Sequence, residues 1–326
     1  MSVLVLCDHD RGALAEASLE ALTFGRRLAN DLGVACSGVL IGEGADNAST
    51  SLASYGAERV YLVEHGLLTD YGPSAWGESL VQLVNKVTPT AVLACGTDRG
   101  NEVIAHLAAS LDAPFVANCL TADTANPSTW LMTRIQWGGS LLEESELSTE
   151  QVKIFTVAHH GIEAEQSESS NSGQQESFTP ELDESVAQTI VADRVVLTQG
   201  ITLSTSPVVV GGGRGVGSAE AFAPLEELAE ELNGVVGCSR AVTNNGWRPH
   251  SDQVGQTGTR IAPQIYIANG ISGAIQHWVG AMAAKNILAI NIDPEANMVA
   301  KAGYAVIGDL HQVVPAVLEE VRRRKS

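Results

Sequence analysis

From Ser206 onward the chain repeats one pattern: a short apolar run, a polar or glycine-rich tip, then a stretch with apolar residues at three and four spacing. Pro207 to Val210 runs into GGGRGVG and a helical pattern over Ala219 to Leu232. Val235 and Val236 end in GCSR, and Ile265 to Ala268 leads into GISGAIQHWVGAM. Ile287 to Ile290 ends at Asn291, and Tyr304 to Ile307 ends at Asp309. Short, continuously apolar runs separated by helices are strands buried on both faces, as in a parallel sheet. The polar tips of an open parallel sheet gather at its carboxyl edge, where such folds bind ligands.

The first half follows the same alternation. Strands are expected at Val3 to Cys7, Val34 to Ile41, Val60 to Val63, Ala91 to Cys95 and Pro114 to Val116. Helices are expected over Leu14 to Leu32, Thr50 to Tyr55, Trp76 to Val87 and Asn101 to Leu111. Trp130 to Trp137 and Gln151 to Val157 read as further strands, placed as antiparallel edges. The stretch from Glu163 to Glu184 is rich in Ser, Gln and Glu and almost devoid of aliphatic residues, so it reads as a mobile connector or long surface loop. One more strand is expected at Ile190 to Leu197. With 326 residues, two domains are the natural expectation: an N-terminal α/β domain over 1–198, with the connector at about 163–185, and a C-terminal α/β domain over 199–326. Each is a mainly parallel sheet flanked by helices, the second one Rossmann-like.

Composition removes several function classes. The formal net charge of −19 argues against nucleic-acid or anionic-membrane partners. The basic cluster Arg322 to Lys325 ends an apolar helical pattern, where cations suit the helix dipole. No apolar run approaches the ~20 residues that span a bilayer, and no signal-peptide order opens the chain, so an unexported, cytoplasmic protein is expected. Five scattered cysteines without a CxxC pair fit reduced thiols and offer no zinc or iron–sulfur spacing. His159 and His160 are adjacent, so on a strand they would face opposite ways and share no metal. No paired-carboxylate or Ser–His–Asp constellation is evident.

The tips carry the chemistry. Gly211 to Gly217 opens a helix after a strand, where backbone N–H groups can approach a phosphate. Against GxGxxG, Ser218 holds the last position. The acidic residue that should follow about 20 residues on is replaced by Ser239 and Arg240. An arginine there also suits a 2′-phosphate, which keeps an NADP site open. The loop DQVGQTG, Asp252 to Gly258, fits a surface turn or a ligand loop offering Gln256 and Thr257. In GISGAIQH, Ser272 and Gly273 are expected as helix cap and first turn. Gln276 and His277 would then lie about 5–7 Å further along by helical rise.

Taken in order, GGRG, SRAV, QVGQTG, ISGAIQH, AINIDPEA and IGDL, with the opening VLVLCDHDRGALAEASLEALTFGRRLA, resemble the electron transfer flavoprotein α subunits over nearly the whole chain. The resemblance implies FAD in the C-terminal domain. Arg214 and Ser239 would contact it, and Arg240 would lie against the isoalloxazine. Val254, Gly255, Gln256 and Thr257 would line the ring, the Thr257 hydroxyl near N5. Ser272, Gly273, Ala274 and Ile275 would hold the pyrophosphate. Gln276 and His277 would approach the flavin, His277 near its O2 edge, and Asn291, Asp309 and Leu310 would border the adenosine half. A reduced flavin gains negative charge around N1 and O2, which a cation or donor there stabilises. A threonine hydroxyl both donates and accepts, so it can follow the redox state of N5.

The resemblance further implies a non-catalytic electron carrier paired with an electron transfer flavoprotein β subunit. It would take electrons from flavin dehydrogenases, such as those acting on acyl-CoA in fatty acid β-oxidation, and deliver them to a membrane quinone oxidoreductase. An organellar mature form would place it in the mitochondrial matrix. Two alternatives stay open: an electron-bifurcating α subunit, and a stand-alone NADP- or FAD-dependent oxidoreductase. The connector WRPHSD departs from the family's form and adds His250.

Overall fold

Ser2–Leu6 (β1) is buried along its whole length, and its alternate residues enter two different cores. Val3 and Val5 pack with Leu22, Leu28 and Leu52, whereas Leu4 and Leu6 pack with Leu80, Leu83 and Leu107. A strand needs apolar residues at every position when helices cover both faces. The computed structural model describes residues 1–139, 141–167, 173–187, 189, 191 and 201–325. The chain divides into two compact units, Met1–Val195 and Val196–Ser326.

In the first unit β1 is followed by a short hairpin of His9–Asp10 (β2) and Ala13–Leu14 (β3), then Glu16–Leu32 (α1) and Ala35–Ile41 (β4). Ala45–Ser54 (α2), Arg59–Val63 (β5), Pro73–Val87 (α3), Ala91–Cys95 (β6) and Asp98–Ser110 (α4) continue the alternation. Phe115–Asp123 (β7), Thr129–Gln136 (β8), Leu141–Ser148 (β9), Lys153–Val157 (β10) and Gln174–Phe178 (β11) complete the unit. Among the described residues they build a nine-stranded sheet of order β11-β5-β4-β1-β6-β10-β7-β8-β9. It is parallel up to β7 and antiparallel across β7, β8 and β9.

Three expectations change here. β10 is no antiparallel edge; it lies parallel between β6 and β7, and its five residues are all buried, as an interior parallel strand requires. The polar connector holds a strand: β11 pairs parallel with β5, so backbone hydrogen bonds at a sheet edge order a segment that has little apolar surface to bury. Lys86 and Arg59 pair with its Glu176. The helix expected at Thr50 to Tyr55 begins five residues earlier, at Ala45. The expected strand at Ile190 to Leu197 lies outside the described residues, except Val191, which belongs to no regular element.

The second unit comprises Val208–Gly212 (β12), Ala223–Glu231 (α5), Val235–Cys238 (β13), Arg240–Asn244 (α6), Ile265–Asn269 (β14), Ile275–Ala281 (α7), Ile287–Asn291 (β15), Asn297–Lys301 (α8), Tyr304–Ile307 (β16) and Leu310–Lys325 (α9). Its five-stranded sheet has the order β13-β12-β14-β15-β16 and every pair is parallel. One face packs Val210, Ile267 and Ile290 against Leu225, Leu228, Val314 and Leu318. The other packs Val209, Tyr266 and Ala289 against Ile271, Ala281 and Met298. The chain starts in the middle at β12, goes outward to β13 and returns past β12 to β14, so its direction of winding switches between β12 and β14. Among the described residues no helix is long and apolar enough to cross a membrane.

Candidate cofactor site

At that switch the loops after β12 and β14 lie backbone against backbone. The Gly213 N–H donates to the Asn269 carbonyl at 2.8 Å, and the Gly215 N–H to the Gly270 carbonyl at 3.1 Å. A Cβ on Gly213 would stand 2.2 Å from the Gly270 oxygen, and one on Gly215 2.8 Å from the Gly270 Cα, so only glycines permit the approach. Asn269 closes β14 fully buried, donating from Nδ2 to the carbonyls of Gly211 (3.0 Å) and Ile267 (3.1 Å). Its Oδ1 is buried with no partner. Asn291, at the tip of β15, donates to the Ile271 carbonyl at 3.0 Å. Leu310 packs beside Gly270, and Asp309 accepts from the His311 N–H at 2.9 Å where α9 begins.

The loops after β13 join the same edge. The Ser239 N–H donates to the Gly212 carbonyl at 3.0 Å, and Arg240 opens α6. The Val254 N–H donates to the Cys238 carbonyl at 2.9 Å, and the Gln256 N–H to the Gln276 carbonyl at 2.7 Å. Gln253 is buried and holds the loop from within: its Oε1 accepts from the Thr243 hydroxyl at 2.7 Å and its Nε2 donates to the Thr257 hydroxyl at 3.0 Å. Gly255 lies against Gly280 of α7, whose Cβ would meet the Gly255 nitrogen at 2.3 Å. In WRPHSD, Trp247 packs on the core and Arg248 pairs with Asp252 and Glu226, which anchors the segment before the loop.

Helix α7 begins at Ile275, three residues beyond the expected cap at Ser272. Gly273 sits at φ +77 with its Cα against the Met298 backbone, a conformation no helix contains. Gln276 and His277 therefore belong to the first turn. His277 is 6% exposed; its Nε2 lies 2.8 Å from the Tyr266 hydroxyl, and its Nδ1 makes no well-formed hydrogen bond. Burial pushes its pKa down to about 4, against a weaker pull upward from the Val254 backbone, so the imidazole is neutral at pH 7.

Arg214, Arg240, Gln256, Thr257, Ser272, Ala274, Ile275, Gln276 and Asp309 are exposed, Ser239 and Asn291 are half-buried, and Val254, Gly255, Gly273, His277 and Leu310 are buried. Among the described residues neither Arg214 nor Arg240 makes an ion pair, and the backbone N–H groups of Ser272, Gly273 and Ala274 donate to no described backbone carbonyl. Exposed guanidiniums after β12 and β13 and free N–H groups after β14, at one end of the same parallel sheet, suit an anionic group such as a pyrophosphate. Gln253, Tyr266 and Asn269 were not singled out from sequence. A polar residue closing the apolar run IYIAN, and the first glutamine of QVGQTG, were the available signals.

In the first unit, Glu20, His159 and His160 offer ligand atoms within 4.8 Å of one another. The histidines lie beyond β10 in a turn, His160 at φ +59, so they do not face opposite ways as expected of a strand. Their rings stack with centroids 3.6 Å apart, so no single ion can lie in both ring planes at bonding distance. His160 instead binds Glu20 through its backbone N–H at 2.7 Å and Nδ1 at 3.3 Å.

Residues 202–282 match the model of the electron transfer flavoprotein FAD-binding domain, and residues 3–183 that of the electron transfer flavoprotein domain. The chain is 32% identical over 324 residues to the electron transfer flavoprotein subunit alpha of Thermoanaerobacterium thermosaccharolyticum, covering 99% of this chain and 98% of that relative. It is 34% identical to the Bacillus subtilis subunit alpha (98% and 97% covered) and 33% identical to Protein FixB of Rhizobium meliloti (99% and 93% covered). The free N–H groups and unpaired arginines of the second unit fit the FAD that this domain type binds. With both family models matched and relatives aligned end to end, the chain belongs to the electron transfer flavoprotein α-subunit family.

Proposed function

We propose that the chain pairs with a β subunit and works in the cytoplasm as an electron carrier, taking electrons from flavin dehydrogenases and passing them to a membrane quinone oxidoreductase. The observation that carries this reading is the gathering of free backbone donors and unpaired arginines along the switch edge of the second unit. Bound there, FAD supplies the ring that accepts and releases electrons. The chain's own residues bind and orient it. Ser272 to Ile275 present backbone N–H groups to the pyrophosphate, and Arg214 and Ser239 contact the cofactor from the neighbouring tips. Arg240 sets a cation against the ring, and Gln253 holds the Thr257 hydroxyl in place for N5. Neutral His277, held at Nε2 against the Tyr266 hydroxyl in the first turn of α7, approaches the O2 edge. Asn291, Asp309 and Leu310 border the adenosine.

Co-expression with the β subunit should give a yellow heterodimer that accepts electrons from a reduced flavin dehydrogenase. A charged hydrogen bond contributes roughly 1.5–3 kcal/mol, so Arg240→Ala should weaken FAD binding ten- to a hundredfold by equilibrium titration. A stable but colourless heterodimer that takes up no added FAD, or an Arg240→Ala variant with unchanged affinity, would defeat the reading.

A further inference from the structure

The segment between α6 and the loop of residues 253–259 has little packing to hold it. Its one regular element is a short 3-10 turn at His250–Asp252, which buries no residue, and Trp247 is its link to the apolar core. Arg248 supplies the other hold. Its Nε donates to Asp252 Oδ2 at 2.8 Å, and a second guanidinium nitrogen donates to Glu226 in the first turn of α5. The guanidinium lies 5.5 Å from the centre of the Phe222 ring. Phe222 is itself buried against Gly212, where a Cβ would stand 2.3 Å from the ring. One side chain therefore ties the end of β12, the start of α5 and the residue that precedes Gln253.

Shielding sets this clamp apart from the pairs on α9. The side chains of Arg248 and Asp252 are 20% and 21% exposed, whereas that of Arg322 is 51% exposed. Losing an exposed pair costs little, but a carboxylate stranded where water reaches it poorly costs far more. Glu226 is 52% exposed and can turn to water when it loses the arginine. Asp252 can do so only by moving its backbone. The next residue is Gln253, 2% exposed, whose amide accepts from the Thr243 hydroxyl and donates to that of Thr257. A shift of Asp252 towards water turns that amide away, and the Thr257 hydroxyl loses its donor.

We propose that Arg248 is a positioning residue for the cofactor: by pairing Asp252 with α5 it fixes Gln253, and through Gln253 the Thr257 hydroxyl. The proposal rests on the FAD reading above.

The test uses the heterodimer with its β subunit and reads two quantities, the FAD Kd by equilibrium titration and the midpoint potential of the bound flavin. Arg248→Leu should raise the Kd roughly fivefold or more, between the effects of breaking an exposed and a buried pair. It should also move the potential in the same direction as Thr257→Val. Arg248→Leu with Asp252→Leu removes the stranded carboxylate together with its partner, so the Kd should return to within about twofold of wild type, and the potential with it. Arg322→Leu deletes the same charge from an exposed pair on α5 and should change neither quantity. Unchanged Kd and potential in Arg248→Leu would overturn the proposal. So would a double variant no better than the single one, or an Arg322→Leu variant as impaired as Arg248→Leu. Should Arg248→Leu not fold, Arg248→Gln removes the charge while keeping a polar stem, and carries the same predictions and refutations. If the wild-type heterodimer takes up no FAD, the cofactor reading fails and this proposal with it; if it binds FAD and Arg248→Leu matches it, this proposal alone fails.

Discussion

The Tyr266 hydroxyl reaches His277 across the backbone of β12 because residue 211 has no side chain; a Cβ there would lie 2.3 Å from the hydroxyl oxygen. The resulting pair is buried in the second unit, and burial raises the phenol's pKa as it lowers that of the imidazole. An unfolded histidine takes up its proton near pH 6.5, whereas folded His277 resists until about 4. Between those values the unfolded chain binds more protons, so stability from this group is full above about 6.5 and is lost as pH falls towards 4. The difference amounts to roughly 3 kcal/mol. Urea midpoints of the wild type should therefore fall more steeply from pH 6.5 to 4 than those of His277→Gln. Equal slopes would show that His277 titrates alike in the folded and the unfolded chain.

At the scale of elements, the Gln253–Thr259 loop is held on α7 by glycine against glycine. Gly280→Ala would put a methyl 2.3 Å from the Gly255 nitrogen and 2.4 Å from its Cα, both backbone atoms that cannot swing away. The loop must lift, carrying Gln256 and Thr257 with it. FAD retention by the purified heterodimer should drop at least tenfold, with far-UV circular dichroism unchanged; normal retention would mean that the loop tolerates displacement. None of this contact was legible in the sequence, where Gly280 is one glycine within a helical pattern. The βαβ alternation was legible because buried parallel strands must be apolar at every position. β9 was missed since LLEESELS has neither the period nor the apolar content of a buried strand, and β11 since edge pairing rather than apolar burial orders it. The motifs GGRG, QVGQTG and ISGAIQH marked the loops that meet at the site. The start of α7 was misplaced because φ at Gly273 is set by its packing on Met298, a contact from a distant segment.

For the whole molecule, charge is the dominant long-range influence. Aspartates and glutamates number 38 against 19 lysines and arginines. The cations present are largely engaged locally: Arg322 bridges Glu227 and Glu231 between α9 and α5, and Arg323 and Arg324 both meet Glu320, whose pKa they hold down at about 2. These pairs are exposed, where solvent already screens them and added salt removes little. The unmatched carboxylates repel one another over the whole surface, and that repulsion favours the expanded chain. Salt at about 0.5 M shortens the screening length to a few ångströms, which suppresses the many long-range repulsions more than the few contact pairs. The apparent Tm should therefore rise by about 1–2 °C between 20 mM and 500 mM sodium chloride, the shift that about 1 kcal/mol gives a chain of 326 residues. A fall in Tm over that range would mean that the surface pairs, weak one by one, outweigh the excess negative charge.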